Sequence, residues 1–163
     1  MKILAVQSRM GIGDTVIFLP FMKALSKKFN SPISILVKEN SKANQYLHQT
    51  KYIDKILTLE RDNKTNNRHG GFFGIFKLAN DLKKYKFDKI FIFNSSLRFN
   101  LVAKISGIPQ IYQYPLFAKN KQHIIEAPKK FLKENLNLDI NEDPEVQIDN
   151  DSISKAAQKF QID

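Results

Sequence analysis

The chain has 163 residues, close to one domain's length, and its 42% hydrophobic and 26% charged residues give the balance of a globular protein with a real core. It has no cysteine, which excludes disulfides and cysteine metal sites, and its three histidines (His48, His69, His123) lie far apart, so no metal centre is expected. The longest apolar run, Val16 to Met22, contains Pro20 and falls well short of the roughly 18 residues of a membrane span. The N-terminus is too short before its first strand to hold a signal-peptide core, and a cytoplasmic location is expected. Net charge is +10, yet only four of the 26 basic residues are arginine (Arg9, Arg61, Arg68, Arg98). A Lys-, Asn- and Ile-rich composition is what AT-rich coding gives. The charge therefore reads either as a solvated surface or as a field favouring phosphates, anionic lipid headgroups or nucleic acid.

Ile3-Leu4-Ala5-Val6 reads as a strand, and Ser8-Arg9-Met10-Gly11-Ile12-Gly13-Asp14 as a glycine turn leading into a helix over Thr15 to Phe29. That helix places Phe18, Met22, Leu25 and Phe29 on one face, with Lys23, Lys27 and Lys28 off it. Ile33–Val37 is a second strand, Ser41–Gln49 a helix and Ile53–Leu59 a third strand. Arg61 to Gly71 is polar, ends in two glycines and reads as a mobile loop. A helix over Phe72 to Tyr85 repeats Phe72, Ile75, Ala79 and Leu82 at helical spacing. Lys89–Phe93 is almost wholly apolar, as a central parallel strand should be, and ends in Asn94-Ser95-Ser96. Arg98–Ser106 is helical with Gly107 as its cap, and Gln110–Tyr114 is a fifth strand. His123 to Leu136 is a helix, Asp139–Pro144 an acidic linker, Val146–Ile148 a short strand and Ser152–Phe160 a last amphipathic helix. Strands alternating with helices predict an α/β fold, a Rossmann-like parallel sheet flanked by helices, as one domain over residues 1–163.

In such sheets ligands sit at the carboxyl ends of the strands. The glycine turn lies there, but it is neither familiar nucleotide motif. The dinucleotide fingerprint needs a third glycine where Val16 stands, and the phosphate loop needs a lysine after its last glycine. The distinctive group of the turn is an acid, Asp14.

Several segments, taken in order, resemble the N-terminal domain of the family 9 glycosyltransferases, the ADP-heptose:lipopolysaccharide heptosyltransferases. They are Lys2-Ile3-Leu4 leading to Gly11-Ile12-Gly13-Asp14, then Leu19-Pro20 and Ala24-Leu25. Phe87-Asp88, Asn94, Arg98, the run Ala103 to Pro109 and the His123 helix follow. The resemblance implies the N-terminal half of a GT-B fold, in which one domain holds a phosphorylated lipid-linked sugar acceptor and a second binds the nucleotide-sugar donor. It implies that Asp14 is the catalytic base of an inverting, metal-independent transfer. The expected ADP-sugar belongs to a C-terminal domain that would begin about where this sequence stops, so no cofactor is expected in this chain and the chain alone is expected to be inactive.

Each candidate also has a plainer reading. Asp14 fits a helix N-cap as well as a general base. Ser8, Arg9, Gly11 and Gly13 form the turn, and Arg9 and Arg98, at two strand ends, suit phosphate recognition or a solvated surface equally. Lys119, Lys121 and His123 read as an anion-binding loop or a charge run, and Arg68 as a side chain closing over an acceptor. Phe72, Phe73 and Phe76 read chiefly as core, with contact to the inner membrane surface as the alternative. The competing function is a non-catalytic module for anionic glycans or lipids. Self-association or a separate donor chain would cover the open wall of the domain. Nucleic-acid binding ranks below both, since no recognised motif is present.

Overall fold

The computed structural model describes residues 1–9, 11–61, 67–116, 123–148 and 150–160. Five strands, β1 (Ile3–Val6), β2 (Ile33–Lys38), β3 (Ile53–Leu59), β4 (Lys89–Ile92) and β5 (Gln110–Gln113), pair in parallel in the order β3-β2-β1-β4-β5. The chain starts at the centre, winds outward through β2 and β3, then crosses back to β4 on the other side of β1. Val6 is level with Ile92, so the segments leaving β1 and β4 emerge side by side where the winding reverses, the usual ligand position in such sheets.

Alternation along the strands feeds two cores. Ile3, Ala5, Ile35, Val37, Phe91 and Phe93 face one layer of helices, while Leu4, Val6, Leu36, Ile90 and Ile92 face the other. Burial on both faces explains why β1, β2 and β4 read as nearly continuous apolar runs. The first layer holds α1 (Ile12–Ile17), α2 (Leu19–Phe29), α3 (Ala43–Tyr46) and α6 (Glu126–Leu136); α4 (Phe73–Lys83) and α5 (Leu97–Ile105) form the second. The last helix, α7 (Asn150–Phe160), buries no residue. No helix among the described residues is long and apolar enough to cross a membrane.

Phe91 is fully buried, and its ring stacks on Tyr112 at 4.6 Å and 4°. Phe91→Ala is expected to lower stability by about 3–5 kcal/mol in urea unfolding, the usual cost of emptying a large core site.

The expected helix over Thr15–Phe29 is two helices. Phe18 (φ −85°, ψ −9°) ends α1 and begins α2, and Pro20 lies in the first turn of α2. Proline has no N–H for the carbonyl of Val16, but it is well tolerated in a first turn, so the sequence restarts the helix there. The Ser41–Gln49 helix shrinks to a 3-10 turn (Glu39–Ser41) and α3, separated by Lys42 in the left-handed region at φ +54°. Val146–Ile148 forms no strand. The acidic linker is tied to α2 instead, with Glu142 ion-paired to Lys27 and, at 3.0 Å, to Lys23.

The largest departure concerns the phenylalanines of α4. Its buried stripe is Ile75, Leu78, Ala79 and Leu82, whereas Phe72, Phe73 and Phe76 are 69%, 76% and 47% exposed. They lie off the buried stripe, and the Phe72 ring touches both others, its centroid 5.9 Å from that of Phe73 and 5.6 Å from that of Phe76.

Candidate functional site

The turn after β1 is built on a buried amide. Gln7, 1% exposed, receives the Arg9 backbone N–H on its Oε1 (2.6 Å), and its Nε2 donates to the Asp14 carbonyl (3.3 Å). Both ends of the turn are thus bolted to the residue that follows β1, whose backbone N–H continues the ladder by donating to the Leu36 carbonyl. Gly11 precedes α1 at φ +106°, a conformation that L side chains rarely adopt, so glycine is required there.

Asp14 is the third residue of α1, not its N-cap, which corrects the plainer reading; Gly11 holds the cap position. Its negative charge in the first turn favours the helix. Its carboxylate is half-buried and has no hydrogen bond or ion pair with any described residue. Gly13 is exposed, with open space where a Cβ would stand. The lip of the turn is therefore accessible on the Asp14 side.

The neighbouring strand ends supply a second set of amides. Asn94 Nδ2 donates to Ser8 Oγ (2.8 Å), fastening the loop after β4 to the turn after β1, and Asn94 Oδ1 accepts from the Ser96 N–H (2.6 Å). Gln113, at the end of β5, donates to the Asn94 and Ser96 carbonyls (2.9 Å each) and accepts from Asn100. Gln7 and Gln113 were not candidates in the sequence; Gln7 follows an apolar strand at a buried position, where an amide is tolerated because local backbone groups satisfy it, and Gln113 is a half-buried residue that ends β5.

Arg9 is exposed, and its charge acts on Tyr114, the residue after β5. Burial pushes the Tyr114 phenol above its ordinary value, with Arg9 pulling the other way. The Tyr114 hydroxyl is buried without a hydrogen-bond partner, one of few such groups among the described residues. Ser8, Arg9, Gly11, Gly13 and Asp14 thus gather with Asn94 and Tyr114 along one stretch of the sheet's carboxyl edge.

The other candidates go elsewhere. Arg98 is held by the chain itself: Nη1 donates to the Gly71 carbonyl (2.7 Å) and Nη2 to that of His69, clamping the turn before α4. Gly74 packs so tightly beneath this clamp that a Cβ would fall 2.3 Å from the His69 carbonyl carbon. Arg68 pairs with Asp81 at 2.8 Å, in the last turn of α4, and is drawn away from the turn after β1. His123 accepts from the Ile125 N–H (3.4 Å), and its carbonyl starts α6 by accepting from Glu126. Lys119 and Lys121, like Met10, lie outside the described residues.

His69 is 4% exposed, so the last part of the expected mobile loop is anchored; residues 62–66 of that loop lie outside the described residues. Its Nδ1 accepts from the Glu60 N–H (3.1 Å) and its Nε2 donates to Asp81 (3.2 Å). Burial opposes ionisation of Asp81, but hydrogen bonds from His69 and Lys84 and the charges of Arg68 and Lys84 outweigh it and hold the carboxyl below the usual carboxylate range. A folded-state value below the unfolded one means stability present in full above that range and lost as pH falls through it. Asp81→Asn is therefore expected to destabilise at neutral pH and to flatten the acid limb of the stability profile, read by thermal unfolding between neutral and acidic buffers.

No protein-family model matches the sequence, and no curated protein matches it. Solved structures do. The chain is similar to a family 9 glycosyltransferase from Veillonella parvula at 18% identity and TM-score 0.74, over 98% of this chain and 49% of that one. It is similar to the E. coli ADP-heptose lipopolysaccharide heptosyltransferase II at 14% identity and TM-score 0.66, over 100% and 51% of the two chains. The E. coli heptosyltransferase WaaC bound to ADP-2-deoxy-2-fluoro heptose matches at 12% identity and TM-score 0.58, over 87% and 50%. The chain spans about half the length of each of these structures. At these identities the likeness is one of fold: the chain is an α/β, Rossmann-like domain of the kind found in family 9 glycosyltransferases and heptosyltransferases.

Proposed function

We propose that this chain is the acceptor-binding half of a glycosyltransferase that moves a heptose-like sugar from an ADP-sugar to a phosphorylated, lipid-linked sugar of the cell envelope, on the cytoplasmic side of the inner membrane. One observation carries this reading: the Asp14 carboxylate, on the open lip of a bolted turn at the strand ends, is committed to no described side chain or backbone group. The fold likeness supports it, since the similar structures are named as glycosyltransferases and are about twice as long.

In this reading Asp14 takes the proton from an acceptor hydroxyl as its oxygen bonds to the anomeric carbon of the donor. The bond from that carbon to the nucleotide diphosphate breaks, and ADP leaves with the electron pair. Arg9 holds the acceptor phosphate, for which a planar guanidinium with no described ion pair is suited. Ser8, with its oxygen already receiving Asn94, presents its hydroxyl proton to the acceptor. The Gly11 and Gly13 backbone leaves room for a sugar ring.

Arg9→Ala is expected to weaken binding of a phosphorylated core glycan by about tenfold, the worth of one charge-assisted contact. The dephosphorylated glycan should bind weakly to both proteins, and added salt should narrow the gap. Calorimetry across a salt series reads this, and equal binding of the two glycans by the unaltered chain would rule out phosphate recognition at Arg9.

A further inference from the structure

We infer that the outer face of α4 and α5 is a docking surface for an anionic lipid bilayer. The two helices pack side by side, and both begin at the carboxyl edge of the sheet. On α4 and the turn before it, Phe72, Phe73 and Phe76 stand 47–76% exposed as one aromatic cluster. On α5, Leu97, Leu101 and Ile105 are each 37–43% exposed, and their spacing of four residues puts them along one side of the helix. Six large apolar side chains on adjacent helices are far more than the scattered exposure normal for a protein surface.

Charge selects the occupant. On α4, its C-terminal cap and α5 the basic residues are Lys77, Lys83, Lys84, Arg98 and Lys104 against one acid, Asp81, which is already held by Arg68, His69 and Lys84. Lys77, Lys83 and Lys104 are exposed on the same two helices. A second copy docking this face on itself would bring like charges together, whereas an anionic headgroup layer meets the lysines while the rings enter the acyl boundary. The aromatic turn is also not loose. The Arg98 clamp on the His69 and Gly71 carbonyls fixes it, so little ordering is needed on binding.

The inference adds to the sugar-transfer reading the surface that brings a lipid-linked acceptor to the strand ends, and rests on that reading only for this purpose. Vesicle binding is measured with neither sugar nor nucleotide, so its failure and the failure of sugar transfer are separate results.

The experiment is flotation of the chain with vesicles of phosphatidylcholine alone and of phosphatidylcholine and phosphatidylglycerol in equal parts. The unaltered chain should float with the mixed vesicles and much less with the zwitterionic ones. A variant carrying both Phe73→Ser and Phe76→Ser, both exposed positions that should leave the fold intact by circular dichroism, should partition at least about tenfold more weakly. Phe76→Trp would place the only tryptophan of the chain on the face, and its emission should shift to the blue with mixed vesicles. No flotation with mixed vesicles, or equal flotation of the double serine variant, would overturn the inference. So would a dimer in light scattering that the serine variant abolishes, since that would make a second copy the occupant.

Discussion

Replacing Asp14 with asparagine, in a protein completed by a donor-binding half, is expected to cut turnover by about 10²–10⁴-fold while the domain stays folded. The structure makes this a clean experiment. Asp14 sits third in α1, where its charge contributes about 0.3–1 kcal/mol to the helix start, and its carboxylate holds no other group in place. Asparagine matches its shape and keeps the carbonyl that Gln7 grips, so the turn should survive. Acceptor affinity and the unfolding midpoint should therefore move little while the chemical step slows. Unchanged turnover would reduce Asp14 to a favourable charge in a first turn.

An even larger effect is expected from the chain by itself: no measurable transfer and no binding of ADP-sugar in calorimetry. Holding nucleophile and leaving group in one geometry is worth about 7–11 kcal/mol of a barrier, and on the proposed reading these residues present only the acceptor side of that geometry. Adding a donor-binding half, on the same or a second chain, should restore transfer. Micromolar donor binding by these residues alone would mean that the strand ends serve the nucleotide, and that the acceptor reading is wrong.

The sheet was legible because its three central strands are buried on both faces and so are written as nearly continuous apolar runs; the edge strand Ile53–Leu59 is only partly buried and was read from apolar and β-branched residues interleaved with Asp54, Lys55 and Thr58. Helix length was harder to read, because periodicity continues through Phe18 even though Pro20 forces a restart there. The α4 phenylalanines were misjudged for a related reason. Ring type argues for burial, yet four smaller side chains already fill the buried stripe, leaving the rings no interior to enter. In the site, the turn and its acid were visible as sequence, since glycine and aspartate carry local geometry. The roles of Arg98 and Arg68 were not, because each is decided by one carbonyl or carboxylate from a distant segment: Arg98 by His69 and Gly71, Arg68 by Asp81. Tyr114 and Gln7 stood out only when their burial could be seen beside their partners, or the lack of one.

The frame around Asp14 consists of Gln7, Ser8, Asn94, Ser96, Asn100 and Gln113, all amides and hydroxyls. None of these side chains gains or loses a proton anywhere between mild acid and mild base. The scaffold is thus mute in a titration, and acidity gives its hydrogen bonds no reason to rearrange. The amide and hydroxyl proton signals of these six side chains should consequently hold their positions from mild acid to mild base, which makes them an internal standard for the turn's geometry.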